Sequence, residues 1–74
     1  MNKFEQFIET YLKMRRDHQD WRVGQCAFNA LHKTDKKIAE EVHGTRLDTF
    51  YMNLPAHRTE IAAFFRWAAT RMIS

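Results

Sequence analysis

Four histidines, one cysteine and a few polar residues at helical spacing are the groups in this chain whose types could do chemistry. His18, His32, His43 and His57 lie 14, 11 and 14 residues apart. Two ligands reach one metal from one helix face at a spacing of four, and no pair has it. Cys26 has no second cysteine, so neither a thiolate ligand set nor an internal disulfide can form, which fits a reducing interior. As a nucleophile it would need a thiolate and a nearby base. It falls instead on an apolar helical stripe, where a free thiol behaves as a small hydrophobe. Glu40 and Glu41 are adjacent on a helix and diverge, so they form no acid–base pair. Two glycines, Gly24 and Gly44, do not make a phosphate-cradling loop. These residues point to no enzyme, no metal and no cofactor.

What remains is a polar strip. Arg22, Gln25 and Asn29 follow one another at helical spacing. One reading has the strip hydrogen-bond the Gly44–Asp48 loop, fix its shape and satisfy the free carbonyls at the end of the preceding helix. The other has strip and loop together, with Arg46 and Asp48, present a surface to a ligand or partner. Trp67 joins them as a candidate, because it lies off the apolar stripe of its helix and Trp is enriched at binding hot spots. Whether Trp67 serves core or interface stays open; Trp21 is expected in the core. The basic group Lys13, Arg15 and Arg16 suits the end of a helix, where the dipole favours cations.

These residues must be positioned by helices. Phe4, Phe7, Ile8, Tyr11 and Leu12 form one apolar stripe and predict a helix over 3–16. Asp20 is the expected cap of a second, Trp21 to about Lys33, with Val23, Cys26, Ala27, Ala30 and Leu31 inward. Phe28 lies off that stripe, so this helix is expected to be covered on two sides. Gly24 inside it costs up to ~1 kcal/mol relative to Ala, and implies close packing of its backbone against a neighbouring helix. Thr34 or Asp35 caps a short third helix to His43, carrying Ile38, Ala39 and Val42, and Gly44 suits a left-handed residue after it. Asp48 then caps a single helical turn, Thr49–Tyr51, from which Phe50 and Tyr51 plug the core. Pro55 marks the first turn of a last helix, about 55–72, with Ile61, Phe64, Phe65, Ala68 and Met72 inward.

The fold class that follows is all-α: one domain, residues 1–74, a bundle of four helices with the third short. A chain this small buries only about 60% of its unfolded surface, so six Phe and two Trp must make the core efficient. No run approaches the roughly 18 apolar residues of a membrane span, and Glu5 and Glu9 interrupt any signal-peptide core. A soluble, intracellular protein is expected. The formal charge is +3, with eight Lys/Arg against five Asp/Glu in residues 1–37 and four of each in 38–74. That excess is small for a nucleic-acid binder and typical of charge that keeps a small domain soluble.

Two patterns carry resemblances. The run W-R-x-G-Q-x-x-F-N-x-L, from Trp21 to Leu31, is followed by A-x-x-x-x-G-T-x-x-D-x-F-Y, from Ala39 to Tyr51. Together they resemble a group of short uncharacterised proteins that recur in bacteriophage and prophage genomes. Such relatives often read D-P-F-Y where this chain has Thr49. The resemblance implies phage origin and a host bacterial cytoplasm, and it carries no established activity. Paired with the evidence against catalysis, it leads us to expect a helical module that docks on a host protein. Residues 38–61 also resemble the helix-turn-helix of tetracycline-repressor-type regulators, through Ile38, Ala39, Gly44, Thr45, Phe50, Tyr51 and Pro55. That implies the alternative, a small DNA-binding protein, with Arg46 as its one long base reader.

Overall fold

The fold begins at a cap. In the computed structural model, which describes residues 2–73, the Asn2 side chain accepts the Glu5 N–H at 2.8 Å and opens α1, Lys3–Asp17. Residues 1 and 74, the ends of the expected domain, lie outside the described residues. Three more helices follow: α2, Val23–Thr34; α3, Lys36–Val42; and α4, Arg58–Ile73. The described residues hold no strand. The architecture is the expected all-α one, with α2 packed on α1 and α3, and α1 also against α4.

Phe7 is the hub of the core. It is fully buried, stacks on Phe65 at 5.5 Å between ring centroids, and meets the Phe64 ring edge-on at 6.2 Å. Tyr11 extends the cluster with an edge contact to Phe65 at 5.0 Å. Burial pushes the Tyr11 phenol up from its ordinary range, against the opposing pull of Arg15. Such aromatic pairs add about 0.5–1.5 kcal/mol each beyond the area they bury. Cys26, Ala27, Ala30 and Leu31 fill the other side as their spacing predicts, and Ile38, Ala39 and Val42 close it from α3. Phe28 is buried too, under Phe50 at 6.0 Å, so α2 is covered on two sides as its off-stripe position implied.

Several boundaries and burials differ from the sequence reading. Leu12 is 58% exposed. At 3.6 residues per turn it lies about 140° around α1 from Phe7, whereas Met14 lies about 20° away and packs on the core in its place. Asp20 does not cap α2. A turn closed by the Trp21 N–H on the His18 carbonyl (3.0 Å) comes first, and α2 starts only at Val23 after extended Arg22. That turn stacks Trp21 face to face on His18, centroids 3.8 Å apart, rather than sending it into the core cluster. Thr49–Met52 is a hydrogen-bonded turn rather than a helical one. Phe50 packs inward from it, but Tyr51 points away and is 80% exposed. Pro55 does not open α4 either. Residues 54–57 form turns, with the Leu54–Pro55 peptide bond cis, and regular helix begins at Arg58.

Among the described residues, two ion pairs tie helices together at the surface. Arg71 of α4 holds Glu41 of α3 through a two-pronged contact. Lys3 of α1 reaches Asp35 at 2.5 Å. Asp35 is also the N-cap of α3, its other oxygen accepting the Ile38 N–H at 3.2 Å. The Lys3 hydrogen bond, with help from the Ile38 N–H, holds the Asp35 carboxyl below its usual range despite partial burial. A carboxyl depressed in the folded state adds stability that is complete above its unfolded pKa, about 3.9, and is lost as pH falls through the folded value. Urea unfolding at a series of pH values should therefore show wild type losing stability below about pH 4 more steeply than Asp35→Asn, which keeps a capping oxygen but not the charge. Parallel acid limbs in the two proteins would remove Asp35 from this role.

Candidate functional site

The site is built where the turn at residues 49–54 meets the start of α2. The first N–H groups of a helix have no partner within it. Here they are capped from a segment about thirty positions away. The Val23 N–H donates to Asn53 Oδ1 at 3.0 Å, and the Gly24 N–H donates to the Met52 carbonyl at 2.9 Å. Thr49, 1% exposed, donates its hydroxyl to the Gly24 carbonyl at 3.0 Å. The Met52 N–H closes the turn on the Thr49 carbonyl at 2.8 Å. Asn53 Oδ1 also accepts the Leu54 N–H at 2.9 Å, so one side chain orders both the helix start and the turn exit.

Arg22 completes the joint. Its Nε and Nη2 fork onto the Phe50 carbonyl at 3.3 and 3.2 Å. Its guanidinium carbon lies 5.7 Å from the Phe50 ring centroid and 5.5 Å from that of Tyr51. Gln25 reaches back to accept the Arg22 N–H at 3.3 Å, the return half of a capping box. Arg22 has no acceptor atom in its side chain to supply the other half.

The candidate residues are therefore brought together only in part. Arg22 and Gln25 serve the joint. Asn29 is half-buried and makes no side-chain hydrogen bond to the loop. Arg46 is exposed, and Trp67 is half-buried against the core, which places it with the packing residues. The proposed clamp of strip on Gly44–Asp48 is not what forms. That loop holds itself. Thr45 satisfies the Val42 carbonyl through its N–H (2.9 Å) and hydroxyl (2.7 Å), and Gly44 adopts the expected left-handed conformation, φ 78°. Asp48 organises the rest, accepting the Gly44 N–H at 2.8 Å and the Phe50 N–H at 3.1 Å. The clamp moved because Arg22 is long enough to reach past the loop to residue 50. Thr49, Asn53 and the exposed pair Tyr51 and Leu54 were not singled out from sequence as site residues. Asn before a Leu-Pro step marks a turn, but nothing local links it to Val23.

Other features bound what the surface can do. No helix lies between Val42 and Arg58, so the helix-turn-helix resemblance of residues 38–61 fails at its second helix. The reason is that Gly44, Asp48 and Asn53 each commit backbone groups to turns. Among the described residues no three His, Cys, Asp or Glu side chains gather as a metal set, and no helix is long and apolar enough to cross a membrane. A groove of about 250 Å³ between α2 and α3 is lined by Phe28, His32, Ala39, Glu40 and His43. A wider depression follows the outer flank of α1 alone. Comparison with protein-family models, with curated proteins and with solved structures gives no match.

Gly24 tests the joint. A Cβ there would lie 2.1 Å from the Thr49 carbonyl oxygen and 2.6 Å from that of Met52. At an open helix position, replacing Gly by Ala gains up to ~1 kcal/mol. Here the obstruction is backbone, which no rotamer relieves, and overpacking costs about 1–3 kcal/mol. Gly24→Ala should therefore melt below wild type, by roughly 4–8 °C per kcal/mol lost in a domain of this size. Circular-dichroism melts decide it; a variant as stable as wild type would mean the turn does not dock on Gly24.

Proposed function

We propose that this chain is a small helical protein-binding module that docks on a host protein and modulates it, through the corner formed by Tyr51, Arg22 and Leu54. The single observation that carries the reading is Tyr51, a large aromatic 80% exposed on a turn hydrogen-bonded on both sides of it. Leu54, 47% exposed, lies on the same turn segment. Tyr and Arg are among the residues that dominate binding energies, and a rigid presentation lowers the ordering cost of association. The phage-like pattern from Trp21 to Tyr51 includes Arg22 and Tyr51 of this corner, which suits action in a bacterial cytoplasm. Arg22 and Asp48 act here by setting the turn, Gln25 by setting Arg22, and Trp67 by supporting the core.

The test is affinity capture from bacterial lysate, followed by direct titration of any captured protein in purified form. Tyr51→Ala should keep the wild-type melting temperature, since its side chain packs little, yet weaken binding by about thirtyfold, the equivalent of a ~2 kcal/mol hot spot. A partner bound equally by wild type and Tyr51→Ala would sink this surface as the docking site.

A further inference from the structure

The electrostatics of the same corner say what kind of partner fits it, granted that it is a protein-docking surface. A guanidinium carries five N–H donors. Arg22 spends two nitrogens, Nε and Nη2, on one acceptor, the Phe50 carbonyl. Its third, Nη1, has no partner among the described residues. Every buried side-chain nitrogen and oxygen among the described residues does have one, so Nη1 faces solvent. No carboxylate among the described residues pairs with Arg22. The acidic residue of the neighbouring loop, Asp48, turns its two oxygens onto the Gly44 and Phe50 N–H groups instead. Half-buried Arg22 is therefore a positive charge with open donors, fixed by its fork on Phe50 and lying 5.5 Å from an exposed tyrosine ring.

A planar donor edge fixed in this way complements a carboxylate, which can accept two parallel N–H bonds, better than it does a neutral carbonyl. The Tyr51 ring beside it, and exposed Leu54 three residues on in the same turn segment, offer apolar area. The anion-binding capacity of the α2 N-terminus, by contrast, is already used by Asn53 and Met52. We infer that this corner receives an acidic peptide segment, in which an Asp or Glu side chain seats on Arg22 while a neighbouring apolar side chain lies against Tyr51 and Leu54. Nucleic acid is disfavoured as the occupant, because one fixed cation beside a tyrosine ring supplies few phosphate contacts, and affinity for a strand grows with their number.

The experiment is an NMR titration of the ¹⁵N-labelled protein, following the Arg22 Nε–H and the backbone amides. The probe is a flexible peptide of about twelve residues built from Glu, Leu, Gly and Ser. Its matched control has Gln for every Glu, and a thymidine oligonucleotide of similar length forms a third arm. The Glu peptide should shift Arg22, Tyr51 and Leu54 saturably. The Gln peptide should bind at least about tenfold more weakly, as should the Glu peptide with Tyr51→Ala, or with Arg22→Lys, which keeps the charge but not the fork. Equal binding of the Gln and Glu peptides, shifts centred elsewhere, or tighter binding of the oligonucleotide would overturn the acidic-peptide assignment. If the Glu peptide fails while Tyr51→Ala still abolishes capture of a host protein, the docking surface stands and only its acidic preference falls. If Tyr51→Ala changes neither, both fall.

Discussion

The close approach of the turn at 49–52 to the backbone of Gly24 is the contact on which the Arg22–Tyr51 side of this domain depends. It is possible only because residue 24 has no Cβ. Once the turn is seated, the Met52 carbonyl and the Thr49 hydroxyl engage both backbone groups of Gly24, and Asn53 takes the donor before it. A helix start that would otherwise leave donors unsatisfied under packed protein is thereby completed by a distant segment. The same seating brings the Phe50 carbonyl within reach of Arg22, lays Phe50 over Phe28, and leaves Tyr51 facing out. Surface and core on this side are consequences of one steric allowance.

The rest of the domain is held differently. Around Phe7 the stabilisation is apolar and non-directional, spread over aromatic pairs between α1 and α4 and over the small residues of α2. A ring can shift there without losing its whole contribution. At Gly24 the contacts are hydrogen bonds between groups with one allowed geometry, and a shift of an ångström forfeits them. The domain thus joins an adaptable aromatic core to a rigid polar joint. The candidate binding residues sit on the rigid part, where position is most sharply defined.

Polar residues in a small domain invite functional readings, and here most of them are occupied with backbone. Gln25 closes on Arg22, Thr45 and Asp48 close the loop after α3, and Asp35 caps α3 while tethering Lys3. Arg22 also binds backbone, the Phe50 carbonyl, but it has more donors than that bond uses. A polar group with capacity left over, beside exposed apolar side chains, is a better sign of a partner than the number of polar residues in a motif.

The sequence by itself determined the helices, most of their inward faces and the left-handed Gly44, because these follow from periodicity and local backbone chemistry. It also implied that Gly24 is closely packed, though against a helix where a turn docks instead, and that Phe28 needs a second cover. It could not say what met them. Asp20 has the residue type for the cap of α2, and capping is usually local, whereas the side chain that accepts the Val23 N–H, Asn53, is thirty residues on from it. Tyr51 looked like a core plug because it is aromatic and next to Phe50, but adjacent residues of a turn diverge, and only the docked turn decided which ring went in. Leu12 was misplaced for a related reason: the stripe was wide, and the neighbours of α1 chose its centre. Burial, the partner of a cap and the open face of Arg22 are properties of segments brought together by folding, and no window along the chain contains them.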